Sequence, residues 1–206
     1  MNLLLDYLDK GEIPPMVSIE RNLINNHAWE IRDQANSRGM WAVVDKTWTK
    51  DLADWIGDHK VLEVMCGFGW LAKALKDHSV DIVATDNQSW DGNRHSIGKP
   101  FSFVENLDGL SAVKKYKDAD VLLVSWPPYQ GKEICRICEA WEEEKPIIYI
   151  GEMAGGCTAC DEFFSNFDIG NYYDDGPYFY MPQWDGMNDE VVIGYYKKGV
   201  KNDYKS

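Results

Sequence analysis

The sequence predicts an α/β protein. A mostly parallel sheet, covered on both faces, ends in a terminal antiparallel strand pair and follows an N-terminal helical extension over residues 1–55. Three observations carry this. From Lys60 onward, short apolar runs alternate with stretches of helical periodicity, the pattern of βαβ units with right-handed crossovers. The first apolar run ends in a tight glycine turn, Cys66-Gly67-Phe68-Gly69, immediately ahead of a helical stretch. The last two apolar runs have no helical pattern between them, so they read as neighbouring strands.

The elements follow in order. A short leading helix stops at Ile13-Pro14-Pro15, because paired prolines cannot continue it. Ser18 is placed to cap a second helix through Ile19, Leu23, Ala28 and Ile31, and Asp51 to Ile56 forms a third. Residues 56–206 then form one compact unit. Strand Lys60–Val64, helix Trp70–Lys76 and strand Asp81–Thr85 come first, followed by a polar loop from Asn87 to Pro100. A short strand is expected at Phe101–Val104, helix Leu110–Lys117 leads to strand Asp120–Val124, and helix Glu133–Glu143 leads to strand Ile147–Ile150. Helix Asp161–Phe167 precedes the final strands, Tyr178–Met181 and Val191–Tyr196.

Bulk properties narrow the function. No run of about 18 apolar residues exists, so no membrane-spanning helix is expected. The start of the chain, MNLLLDYLDKGEIPP, lacks the basic region and apolar core of a signal peptide, and the odd cysteine count of 5 suits a reducing compartment. A cytoplasmic location is the expectation. Net charge is −13, and the densest basic clusters are Lys114-Lys115-Tyr116-Lys117 and Lys197-Lys198. Displacing counterions from a duplex needs more local positive charge than that, so duplex nucleic acid is disfavoured as a partner. Small-molecule or protein partners remain.

The stretch from Val61 to Asp86 is the most telling. A strand, a glycine loop, a helix and a second strand close on an acid. In such a unit the loop backbone passes close to a ligand and the acid can hold a ribose diol. The G-x-G-x-x-G spacing of dinucleotide sites is missing. The order resembles motifs I and II of class I S-adenosylmethionine-dependent methyltransferases, whose loop reads acid-x-Gly-x-Gly-x-Gly. Glu63, Gly67 and Gly69 match it, and Met65 stands in place of the first glycine. The resemblance implies a Rossmann-like methyltransferase fold and S-adenosylmethionine as cofactor. Glu63, Cys66, Gly67 and Gly69 would lie along the methionine part, with Asp86 on the ribose hydroxyls. Asp108 has two readings, an N-cap ahead of Leu110 or a residue near the adenine.

Val124-Ser125-Trp126-Pro127-Pro128-Tyr129 resembles motif IV of amino-methyltransferases, in which Asp, Asn or Ser precedes Pro-Pro and an aromatic. Trp126 occupies the polar position, and an indole N–H can only donate. Ser125 carries an oxygen but lies one residue early, on what the strand alternation suggests is the other side. Tyr129 keeps the stacking position, and Trp126 and Pro127 are expected to wall an acceptor pocket. Tyr149-Ile150-Gly151-Glu152, Gly155-Gly156-Cys157-Thr158 and Pro182-x-Trp184-x-Gly186-x-x-Asp189 follow in order. With Trp126-Pro127-Pro128-Tyr129 they resemble an uncharacterised methyltransferase-like group over roughly residues 39–197. Trp41 matches a tryptophan of that group and is placed to close the site from the N-terminal side. Glu152, ending a strand, is the general-base candidate beside Ser125 and Tyr129, with a capping role as the alternative. Trp184, Asp185 and Asp189, in the loop joining the last two strands, are candidates for the acceptor pocket.

Cys135-x-x-Cys138 and Cys157-x-x-Cys160 satisfy the arithmetic of a four-cysteine zinc site, but the first pair falls in a predicted helix and a strand intervenes. Buried thiols acting as small hydrophobes are the alternative, and no metal is expected. His95, in the loop after Asp86, is a candidate acid or base or a surface histidine. The expected function is methyl transfer from S-adenosylmethionine to a small-molecule or protein acceptor. Two alternatives stay open: a nucleobase amino-methyltransferase with a variant S-W-P-P-Y motif, and a non-catalytic binding or inhibitory protein on the same frame.

Overall fold

In a computed structural model, which describes residues 3–17, 27–89 and 96–199, the chain folds around a seven-stranded sheet. The strands are β1 (Val61–Val64), β2 (Ile82–Asp86), β3 (Glu105–Asn106), β4 (Val121–Ser125), β5 (Ile147–Glu152), β6 (Phe167–Asp168) and β7 (Asp189–Tyr196), in the spatial order β3-β2-β1-β4-β5-β7-β6. β1 pairs in parallel with β2 and β4, and β5 pairs in parallel with β4. β7 runs antiparallel to both β5 and β6. This is the mostly parallel, Rossmann-like sheet expected from the alternation, with its antiparallel closure. The order reverses between β1 and β4, so the crevice beyond the carboxyl ends of these two strands is where a ligand fits.

Side chains alternate across the sheet and build two cores. Val61, Leu123 and Ile148 face one core with α1 (Leu3–Asp9), α2 (His27–Ser37), α3 (Lys46–Ile56) and α4 (Trp70–Asp77). Leu62, Leu122 and Tyr149 face the other with α5 (Gly109–Lys115), α6 (Glu133–Ala140) and α7 (Asp161–Asn166). The N-terminal helices thus share a core with the sheet. α3 forms because Asp45 caps it, accepting from the amides of Thr47 and Trp48, and because Trp48, Leu52 and Ile56 recur on one buried face. The second oxygen of Asp45 accepts from the Val17 amide and the Pro14 carbonyl accepts from Lys46, which straps the proline segment to this helix.

Several expectations are corrected. Phe101–Val104 is a turn and not a strand: the Val104 amide bonds back to the Phe101 carbonyl, and the Phe101 ring packs edge-on to Trp70 at 4.9 Å. The strand in that position is the next pair, Glu105–Asn106. Tyr178–Met181 joins no ladder; the outer partner of β7 is Phe167–Asp168, of which Phe167 is expected as the last residue of a helix, and a short α8 (Tyr172–Asp175) follows it. Phe167 is fully buried against Tyr149 and Phe163, and that packing fixes the pair. Ser18, Ile19, Leu23 and His95 lie outside the described residues.

Candidate functional site

A cavity of about 410 Å³ opens beyond the ends of β1, β2 and β4. Sequence makes its floor through the β1–α4 turn. The Gly67 amide donates to Asp86 Oδ2 at 2.8 Å, and Asp86 Oδ1 accepts from the Gln88 amide at 2.6 Å, so the acid ending β2 holds the glycine turn from across the sheet. Gly69 has φ of +89°, and a Cβ there would lie 2.6 Å from Val104 Cγ2, so neither the backbone nor the packing admits a side chain. Met65, at the position where the resembling motif has its first glycine, also lies in the left-handed region at φ +53° and lines the cavity. Its side chain is accommodated at the cost of local backbone strain, as is typical of ligand sites.

Glu63 is a buried acid of this floor. It is 1% exposed, lines the cavity, and its Oε2 has no hydrogen-bond partner. Burial, opposed in part by the Ala72 backbone and reinforced by the nearby Asp86 charge, pushes its carboxyl up to about 8. Burial likewise drives the Cys66 thiol far above its ordinary range, so Cys66 is an inert wall. Glu63, Asp86 and Glu133 are the acids of the lining, which among the described residues contains no lysine or arginine. A buried carboxyl with one unpartnered oxygen and a second acid suit a cationic, hydroxyl-bearing ligand, and S-adenosylmethionine is one.

The outer half of the cavity is aromatic. Trp126, at φ +51°, stacks on Trp41 with ring centroids 5.8 Å apart, and the Arg32 guanidinium lies 5.6 Å from the Trp126 ring. Two hydrogen bonds pin the Arg38–Trp41 segment over the sheet: Trp70 Nε1 donates to the Arg38 carbonyl at 2.7 Å and Trp184 Nε1 to the Trp41 carbonyl at 2.6 Å. The Trp126 indole donates to Asp189 Oδ1 at 3.0 Å. Asp189 is buried with Oδ2 unpartnered, and burial, countered by the Trp126 hydrogen bond, pushes its carboxyl up to about 6. Ser125, Pro127 and Tyr129 complete the wall. Ser125 lines the cavity after all, because it continues the face of Leu123.

Other candidates lie elsewhere. Glu152 is not a free base: Oε2 accepts from the Cys157 amide at 2.8 Å and Oε1 from the Asn188 amide at 3.1 Å. Burial alone would raise its carboxyl, but these amides hold it below the usual carboxylate value. Its role here is to brace two loops. Asp108 takes its capping alternative, accepting from the Ser111 amide at 2.9 Å outside the cavity. Trp184 is core, fully buried, and Asp185 does not line the cavity. Gly69 shapes the turn without reaching the lining.

The cysteines regroup. Cys135 Sγ lies 3.5 Å from Cys160 Sγ, Cys138 is buried, and Cys157 lines the cavity. Among the described residues no set of three or more His, Cys, Asp or Glu side chains is gathered for a metal. Sequence reasoning missed Glu133 and Arg32; neither carries a motif, and only the packing of α2 and α6 brings them to the mouth.

No protein-family profile matches the sequence, and no curated protein does. Among solved structures, the chain is similar to TehB from Haemophilus influenzae, at 12% identity over 81% of this chain and 67% of that one, with a TM-score of 0.43. Magnesium protoporphyrin IX methyltransferase from Synechocystis, solved with bound SAM, is 11% identical over 85% of this chain and 100% of its own, with a TM-score of 0.46. Human N-acetylserotonin methyltransferase in complex with SAM is 11% identical over 95% and 66%, with a TM-score of 0.44. At this identity and overlap the likeness concerns the outline of the fold alone.

Proposed function

We propose that the chain is an S-adenosylmethionine-dependent methyltransferase acting on a small-molecule or protein acceptor. The observation that carries this is Glu63: a buried carboxyl with an unpartnered oxygen, in a cavity at the sheet's reversal point whose lining, among the described residues, holds no basic side chain. The motif resemblance over Val61 to Asp86 adds to it. Glu63 and the Gly67 backbone would hold the methionine end of the cofactor, and Asp86 the ribose hydroxyls while keeping the Gly67 amide in place. When bound, the cofactor supplies an electrophilic methyl on a sulfonium. The chain's own part is positional. Trp41, Trp126 and Tyr129 form an aromatic mouth that excludes water and orients an acceptor. Asp189 fixes the indole plane of Trp126 through its hydrogen bond.

Ser125 favours a second reading. Its hydroxyl lines the cavity beside Trp126 and Tyr129, where it could accept a hydrogen bond from the amine of a stacked nucleobase. Calorimetric titration with S-adenosylmethionine and S-adenosylhomocysteine tests the cofactor assignment. Saturable binding by the wild type that is weakened at least about tenfold, roughly 1.4 kcal/mol, in Asp86→Ala is expected. No binding by a folded wild type would overturn the assignment and leave the non-catalytic reading.

A further inference from the structure

A second cavity, of about 660 Å³, opens where β7 meets the segment 177–183 and the start of α3. Its wall is built from tyrosines. Tyr178 and Tyr180 are 85% and 77% exposed, while Phe179 and Met181 are buried, so alternate side chains anchor the segment and present rings outward. This is the period-2 pattern that reads as a strand in the sequence. It serves burial here without a ladder. The rings nearer β7 are held in place: Tyr173 Oη donates to Glu190 Oε2 at 3.0 Å, Tyr172 Oη donates to the Val191 carbonyl at 2.6 Å, and the two rings meet edge-on at 5.8 Å.

The charged side chains described in the cleft wall have one sign. Asp45, Asp189 and Glu190 line the cleft, and among the described residues no lysine or arginine does. Asp45 is engaged as the α3 cap and by the Val17 amide. Asp189, 1% exposed, gives Oδ1 to the Trp126 indole and leaves Oδ2 buried without a hydrogen-bond partner. An aromatic face is negative at its centre, so tyrosine rings and carboxylates attract the same thing, a weakly hydrated organic cation. The volume is within the range of small-ligand pockets.

We infer that this tyrosine-lined cleft binds an alkylammonium cation, with the Tyr173, Tyr178 and Tyr180 rings against its methyl or methylene groups and Glu190 and Asp189 supplying the countercharge. The site is separate from the cofactor cavity, and one hydrogen bond, Trp126 to Asp189, links a wall residue of each.

The test is titration of the full chain, without cofactor, with choline, with its neutral isostere 3,3-dimethylbutanol, and with a short peptide carrying trimethyl-lysine. Titrations are repeated on Asp86→Ala and on the double variant Tyr178→Ala/Tyr180→Ala. Those two tyrosines are largely solvent-exposed, so the double variant keeps its fold, which an unchanged melting temperature verifies. Choline is expected to bind at least about tenfold more tightly than its isostere, with that preference lost in the double variant and kept in Asp86→Ala. Binding of the peptide but not of choline also supports the site and identifies the cation as peptide-borne. Equal binding of choline and isostere, no binding of either cation, or binding that survives the tyrosine changes but not Asp86→Ala would overturn it. Because Asp86→Ala alone tests the cofactor cavity, failure of one site is separable from failure of the other.

Discussion

Replacing Glu63 by glutamine should make the protein more stable at neutral pH, and the size of the gain follows from the burial of the carboxyl. In the unfolded chain this group ionises near 4.5, and in the folded chain burial moves it up to about 8. The sign follows directly. Below the unfolded value both states are protonated and nothing is lost. As pH rises from there, the unfolded state releases a proton that the folded state keeps, so stability falls until the folded value is passed. By pH 7 the accumulated loss is roughly 3 kcal/mol, and it levels off near 5. Glutamine keeps the shape and cannot ionise, but its amide group, placed where Oε2 has no partner, costs about 1 kcal/mol. A net gain of about 2 kcal/mol is therefore expected at neutral pH, shrinking to a small loss below about pH 5. Urea unfolding of both proteins across this range measures the difference. Asp189 also titrates upward from its ordinary value, but it is common to both proteins and cancels. If wild type and variant lost stability in parallel as pH rises, Glu63 would be ionised at little cost and the reasoning would fail. The same substitution should weaken binding of a cationic cofactor, which separates what the residue costs in stability from its use.

Other expectations follow from single contacts. Asp45→Ala removes the α3 cap and the acceptor of the Val17 amide, and should lower stability by about 1–2 kcal/mol in urea unfolding. Gly69→Ala places a methyl 2.6 Å from Val104 Cγ2 at φ +89°, and should cost at least about 1–3 kcal/mol and weaken cofactor binding measured by calorimetry. Asp189→Asn keeps an acceptor for the Trp126 indole, whereas Asp189→Ala leaves that N–H unpartnered; the alanine variant should be about 1–3 kcal/mol less stable than the asparagine variant by thermal unfolding. Cys135 and Cys160, with sulfurs 3.5 Å apart, should be joined by a disulfide oxidant such as oxidised glutathione, each bond formed yielding two equivalents of reduced glutathione; peptide mapping of the oxidised protein should find this pair and not Cys135 with Cys138.

The sequence alone determined the alternation of elements, the glycine turn, the acid ending β2 and the diproline loop, because each rests on local periodicity or on a residue with a restricted backbone. Most strand boundaries shifted by a residue or two, while α3 begins five residues before its expected start and α6 ends three before its expected end. The run at Phe101 is apolar enough for a strand, yet it folds as a turn under Trp70. Tyr178–Met181 alternates like a strand, while Phe167–Asp168 takes the place beside β7 because the Phe167 ring fills the core next to Tyr149. At the site, Glu63, Cys66, Gly67, Asp86, Ser125, Trp126, Pro127 and Tyr129 were legible and line or hold one cavity. Whether a carboxylate is free was not legible. Glu152 and Asp108 are held by backbone amides, and Glu63 and Asp189 each keep an unpartnered oxygen. That difference depends on which amides a loop turns toward each acid, and on how much water is excluded. Both are properties of packing between segments far apart in the chain, so only the tertiary structure decided them.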